Sequence, residues 1–127
     1  MLVSNYMTQS PVTIREDADY GTASDIMQTK NLHHLPVVDS AGEVIGILTR
    51  RDLQLAAQHF MEAPVEVSDV MHTPVMTATP DMNLVKAAEV MMENRIGCLP
   101  VLADDKQVIG MVTETDLFRA LIDALDK

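Results

Sequence analysis

Shifted by 64 residues, the chain lies on itself. Leu35-Pro36-Val37 meets Leu99-Pro100-Val101, and Val44-Ile45-Gly46 meets Val108-Ile109-Gly110. Thr49, Asp52 and Leu53 meet Thr113, Asp116 and Leu117, while upstream Ala23 and Met27 meet Ala87 and Met91. Near the front the offset becomes 63, since Ser10-Pro11-Val12 pairs with Thr73-Pro74-Val75, so one residue has been gained or lost. A constant shift over some forty residues is hard to produce by chance. The 127 residues therefore hold two copies of one supersecondary unit, read here as 1–63 and 64–127.

Each copy reads alike. Pro11 to Ile14 is extended, and Asp17 is placed to cap a helix over about 18–31 in which Tyr20, Ala23, Ile26 and Met27 recur at helical spacing. Leu35-Pro36-Val37-Val38 suits a buried strand, Ser40-Ala41-Gly42 turns the chain, and Val44 to Leu48 returns it. A helix follows from about Arg50 to Phe60, and residues 61–68 connect the copies, with Pro64 excluding a continuous helix. The second copy predicts an extended 75–78, a helix over about 82–95, strands near 99–102 and 107–112, and a helix over about 114–125. The order β-α-β-β-α, twice, is an α/β (α+β) architecture of mixed sheets packed with helices. A single copy of about 60 residues buries too little of its own surface. The expected solution is a pair related by a pseudo-twofold axis, with a cleft between the copies.

Charge narrows the function. Nine Lys and Arg stand against 19 Asp and Glu, a net −10. The halves share it, 4 basic against 8 acidic in residues 1–63 and 5 against 11 in 64–127. Such a field repels a phosphate backbone and an anionic membrane. With no Trp, two Tyr and two Phe there is no set of aromatic platforms for bases. Apolar runs such as Val108-Ile109-Gly110-Met111-Val112 are too short to span a bilayer, and Met1 to Tyr6 shows no signal-peptide pattern. Cys98 is the single cysteine and has no internal partner, which fits a reducing cytosol and a small buried hydrophobe. The ten methionines read as gap-fillers in a core or dimer interface.

Both returning strands end in Gly-x-x-Thr-x-x-Asp-Leu, as Gly46-Ile47-Leu48-Thr49-Arg50-Arg51-Asp52-Leu53 and Gly110-Met111-Val112-Thr113-Glu114-Thr115-Asp116-Leu117. Thr at a helix N-cap with an acidic residue three positions on is a capping box, contributing about 1 kcal/mol. The same corner suits a ligand. Free N–H groups and the positive dipole end attract a phosphate, Thr adds a hydroxyl, and the carboxylate accepts from both hydroxyls of a ribose. Gly46 and Gly110 are expected to let a ligand approach the strand backbone closely.

The duplication, the Leu-Pro-Val strands and the two corners resemble a pair of CBS (cystathionine-β-synthase) motifs forming a Bateman module, over essentially the whole chain. Val3-Ser4-Asn5-Tyr6-Met7-Thr8 and its echo Val67-Ser68-Asp69-Val70-Met71 are typical of stand-alone members, so no fused enzyme or channel is expected. The resemblance implies a regulatory module, without a required cofactor, that binds AMP, ADP, ATP or S-adenosylmethionine, dimerises, and signals to an effector protein. It implies that Asp52 and Asp116 hold the ribose and that Thr49 and Thr113 lie on the phosphate side, with Arg51 and Thr115 at the variable position before each Asp. Base contacts are implied around Ser10 and Val12 or Thr73 and Val75, and at His33 and His34 or Gly97 and Cys98.

The corners differ. Arg50 and Arg51 suit a di- or triphosphate, whereas Glu114 opposes one, so the Asp52 site is expected to be the tighter for polyphosphates. Adjacent His33 and His34 cannot both reach one ion from regular structure, and no metal site is assigned, although a metal-binding variant of the module is an alternative. His59 and His72 carry no motif. No nucleophile with its base, Gly-rich phosphate loop or ligand triplet supports catalysis. The competing readings are a small-molecule hydrolase or transferase using the cleft and a purely structural dimerisation module whose corners are only helix caps.

Overall fold

Two core clusters form, and the chain enters them in an order the repeat did not suggest. The computed structural model describes residues 1–59 and 65–126. Its element order is α1 (Val3–Tyr6), β1 (Thr8–Gln9), β2 (Ile14–Arg15), α2 (Tyr20–Lys30), β3 (His34–Val38), β4 (Val44–Thr49), α3 (Arg50–His59), α4 (Val67–Val70), α5 (Leu84–Asn94), β5 (Cys98–Leu102), β6 (Val108–Thr113) and α6 (Glu114–Leu125). The chain divides into two compact units, Val12–Val75 and a split unit of Met1–Pro11 with Met76–Lys127. The expected division at 63/64, the end of the second long helix at Phe60 and the breaker Pro64 lie outside the described residues. Of the expected connector, 65–68 are described, and Val67 and Ser68 already belong to the one-turn helix α4.

In the Val12–Val75 unit the sheet order is β2-β3-β4, with β2 parallel to β3 and β3 antiparallel to β4. Leu35 and Val37 alternate with Leu48 on this sheet, and with Ile14, Ala23, Met27, Leu53 and Val67 they make its core. The helix α2 starts two residues later than expected. Asp19, not Asp17, is its N-cap and accepts from the Thr22 N–H at 2.8 Å. That bond holds the Asp19 carboxyl below the usual carboxylate range. Asn31 ends the helix in the left-handed conformation at φ 53°, a C-cap its short amide tolerates.

The split unit repeats the plan, with sheet order β1-β6-β5. Its core gathers Leu84, Ala87, Met91, Leu99, Val101, Val112 and Ala120 around Val3 from the chain's start, which is fully buried. Backbone bonds tie that start down: the N–H groups of Val3 and Ser4 donate to the carbonyls of Met82 and Pro80, both at 2.9 Å. β1 adds antiparallel to β6, Thr8 opposite Met111 and Gln9 opposite Gly110. The Val12–Val75 unit uses the same device, His72 bridging antiparallel to Ile47 with backbone bonds of 3.1 and 2.8 Å. Each returning strand thus pairs with the segment that leads into the other repeat, so a repeat in sequence is not a unit in space.

Candidate functional site

The Thr-x-x-Asp corners fold as capping boxes in both units. In the first, Thr49 donates to Asp52 Oδ2 through its N–H at 2.8 Å and its hydroxyl at 2.7 Å, and the Asp52 N–H returns a 3.1 Å bond to Thr49 Oγ1. In the second, the Thr113 N–H and hydroxyl donate to Asp116 Oδ2 at 2.8 and 3.3 Å. Both carboxylates are sunk into the corner, Asp52 at 9% exposure and Asp116 at 2%. They are the two buried charged residues among those described, and each Oδ2 has spent both lone pairs on its own threonine.

The remaining oxygens are held differently. His72, on the segment that pairs with β4, donates from Nε2 to Asp52 Oδ1 at 2.8 Å. Asp116 Oδ1 instead takes Arg119 from the next turn of α6. The Arg119 guanidinium also reaches the Tyr6 carbonyl at 3.3 Å, and the Tyr6 hydroxyl donates to Asp123 at 2.7 Å. Bonding to that carboxylate raises the phenol's pKa. Reasoning from motifs missed both partners. Arg119 was readable as an Asp-x-x-Arg pair on one helix face, whereas His72 needed the strand pairing to be known.

Of the arginine pair expected to concentrate positive charge, Arg50 turns to the end of α2. Its Nη2 donates to the carbonyls of Leu32 at 2.8 Å and Met27 at 3.3 Å. Arg51 is exposed and has no partner among the described residues. In the other corner Glu114 and Thr115 are exposed on the first turn of α6. The glycine expectation needs correction: the space is filled by the chain itself. A Cβ on Gly46 would fall 2.7 Å from Met71 Sδ and 3.0 Å from the His72 carbonyl, and one on Gly110 would fall 2.6 Å from Met7 Sδ and 3.0 Å from the Thr8 carbonyl. These glycines admit the pairing segment, not a ligand.

The implied base-side residues are dispersed. Ser10 is exposed in the left-handed conformation at φ 51° and belongs to the split unit, whereas Val12 packs on the core of the Val12–Val75 unit. Thr73 is exposed and Val75 half-buried in the latter. His33 is exposed, with its carbonyl accepting from the Arg50 N–H at 3.0 Å, and half-buried His34 opens β3 opposite Thr49. In the split unit the half-buried Gly97 accepts from the Glu114 N–H at 3.2 Å in the same way. Cys98 is buried, and desolvation, with Glu114 as a second cause, pushes its thiol up to about 12. A groove of about 710 Å³ between α2 and α3 and another of about 370 Å³ beside Tyr6 and Arg119 are lined by neither corner carboxylate. Among the described residues no three His, Cys, Asp or Glu cluster to hold a metal ion, and no helix is long and apolar enough to cross a membrane.

A duplicated α/β motif, each copy ending its returning strand in a capped, buried carboxylate, defines a tandem, internally repeated module. The CBS domain family model matches residues 3–59 and 67–123, and the chain belongs to the CBS domain family. A CBS domain-containing protein of Dictyostelium discoideum is 35% identical over 137 residues, covering 99% of this chain and 94% of that one. The homoserine O-acetyltransferase of Methanohalobium evestigatum is 34% identical over 119 residues, and there the chain spans 24% of the relative's length. Among solved structures, the CBS domain pair of protein MJ0100 in complex with 5′-methylthioadenosine and S-adenosyl-L-methionine superposes with a TM-score of 0.89 at 28% identity, covering 98% of both chains.

Proposed function

We propose that this chain is a regulatory module that senses an adenosine-containing ligand, AMP, ADP, ATP or S-adenosylmethionine, through its Thr-x-x-Asp corners, and passes occupancy to an effector protein in the cytoplasm. The observation that carries this reading is the repetition of one buried carboxylate at one place in two units. A lone capping box needs no burial and no second copy. The likeness to a CBS pair that holds 5′-methylthioadenosine and S-adenosyl-L-methionine supports the ligand class. In this reading Asp52 and Asp116 bind ribose hydroxyls, while Thr49, Thr113 and the α3 and α6 N-termini face a phosphate or the carboxylate of S-adenosylmethionine. Ser10, Val12, Thr73, Val75, His33, His34, Gly97 and Cys98 are the candidates for the base side. The chain works without a resident cofactor and as a homodimer.

The ranking of the two corners for polyphosphates rests on less than the sequence suggested. With Arg50 bound to the end of α2, Arg51 alone remains to meet a second or third phosphate. The preference for the Asp52 corner persists because Glu114 opposes anions at the other.

A second reading has its own support. The threonine–aspartate hydrogen bonds of both corners are also what a helix cap requires, which is the arrangement of a purely structural dimerisation module. Thermal unfolding in the presence of AMP, ADP, ATP, S-adenosylmethionine and 5′-methylthioadenosine separates them. A ligand at a hundredfold excess over its dissociation constant stabilises by about 2.7 kcal/mol. At least one of the five is expected to raise Tm at millimolar concentration, and Asp52→Ala is expected to reduce that rise more than Asp116→Ala for ATP. No rise with any of them leaves the caps-only reading.

A further inference from the structure

Each corner carboxylate holds its Oδ2 to its own threonine and its Oδ1 to one cationic or titratable side chain, but the two side chains differ in kind and origin. Asp116 is held by Arg119, a permanent charge on its own helix. Asp52 is held by His72, whose imidazole reaches in from the β4-pairing segment with its side chain 67% exposed. The repeat shows that this is a substitution of parts. The position matching His72 is Thr8, too short to reach the carboxylate, and the position matching Arg119 is Leu55, which has no charge.

Acceptor counting gives the consequence. An ionised carboxylate offers about four lone-pair sites. Thr49 takes both on Asp52 Oδ2 and His72 takes one on Oδ1, leaving a single site. A vicinal diol that chelates the carboxylate with two hydroxyls needs both sites of Oδ1, so it must displace the imidazole. His72 can leave, because most of its side chain already stands in solvent and its backbone bonds to Ile47 do not involve the ring.

We infer that His72 is a site residue of the Val12–Val75 unit, a proton-dependent gate that competes with the ribose diol for Asp52. The imidazolium adds its own charge to a bond that the ionised carboxylate already strengthens, and is harder to displace than the neutral ring. Of the other charged or titratable groups near this corner, half-buried His34 opens β3 opposite Thr49. On α3, Arg50 is bound to the Leu32 and Met27 carbonyls, and Arg51 is exposed without a partner among the described residues. On α4, Asp69 accepts from the Glu66 N–H at 3.0 Å, Glu66 is exposed, and β4 contributes no charged side chain. The gate therefore tightens when the imidazole gains a proton, whereas the Asp116 corner, held by an arginine, has no such proton-dependent hold.

This inference rests on the ribose reading of Asp52, and the experiment keeps the two apart. Adenosine is the probe, because it carries no phosphate to titrate in this range. Amide chemical shifts of Thr49 and Asp52 are followed during adenosine titrations at pH 8.0 and 5.5, at fixed ionic strength, with Thr113 and Asp116 as the internal comparison. The wild-type dissociation constant at the Asp52 corner is expected to rise roughly fivefold at the lower pH, because the charged donor holds Oδ1 more strongly than the neutral one. His72→Gln, which keeps an uncharged donor on an exposed residue, is expected to remove that rise while retaining binding. Binding that is equally tight at both pH values, or a fivefold rise that survives in His72→Gln, overturns the gate and leaves the ribose reading standing. Absence of adenosine shifts at Thr49 and Asp52 at either pH overturns both.

Discussion

Cys98 shows how little of a side chain's chemistry survives burial. At the start of β5, opposite Thr113, its thiol is buried and desolvated, and its ionisation is pushed up to about 12 from the 9.0 of an unburied thiol. The sign of the effect on stability follows. The unfolded chain loses the thiol proton near 9, while the folded chain keeps it until about 12, so between those values the unfolded state binds fewer protons and stability falls as pH rises. One proton of difference corresponds to about 1.4 kcal/mol per pH unit at most. Urea unfolding of the wild type and Cys98→Ala at pH 8, 9, 10 and 10.5 is expected to show the gap between them narrowing above pH 9. A constant gap across the series contradicts the burial argument. The same burial explains why a base-side role expected at Cys98 cannot be read from sequence position alone: Leu-Pro-Val marks the strand but not which flanking side chain faces inward.

At the scale of elements, the two copies solve one turn with different residues. Gly42 turns β3 into β4 at φ 84°, a conformation glycine adopts without cost. The matching residue between β5 and β6 is Lys106, held at φ 68°, where a Cβ is crowded by the following carbonyl. Lys106→Gly is therefore expected to stabilise the chain by about 0.5–1 kcal/mol, the relief of left-handed strain less the added entropy of the unfolded glycine. Chemical denaturation measures it, and a destabilised variant would show that the lysine makes an offsetting contact. The elements themselves were legible: hydrophobic periodicity placed the four long helices and the four long strands within a few residues. What periodicity could not supply was the cap of α2, because Asp17 and Asp19 are both good N-caps and only the Thr22 bond chooses between them.

For the whole molecule, the repeat announced two copies but not the exchange of their leading segments. Val3 and Val67 sit at equivalent places, yet each is fully buried in the core built by the other copy's strands. The signal was present in Gly46 and Gly110, whose missing side chains mark a close backbone approach. Read from sequence, that space was expected to admit a ligand, and the strand pairing gives it to a chain segment instead. His72 was invisible for the same reason, since only the bridge to Ile47 brings it to Asp52.

The split unit also leaves large apolar side chains uncovered on its helices, Met92 at 79% and Phe118 and Ile122 at 62% exposure. The residues matching Met92 and Phe118 in the other copy are Gln28 and Gln54. Exposed apolar groups gathered on one pair of helices mark an interaction surface, and the homodimer proposed above is expected to use it. Sedimentation velocity of Phe118→Glu is expected to show monomer where the wild type shows dimer. An unchanged dimer places the contact elsewhere.

The central claim is that the capped carboxylates are ligand sites as well as helix caps. Amide spectra recorded while AMP, ATP, S-adenosylmethionine and adenosine are titrated in turn test it most directly. The account predicts saturable shifts at Thr49 and Asp52, or at Thr113 and Asp116, with at least one of the four, and their loss in Asp52→Asn or Asp116→Asn respectively. Spectra in which none of the four moves those amides at millimolar concentration would contradict it and leave the corners as helix caps alone.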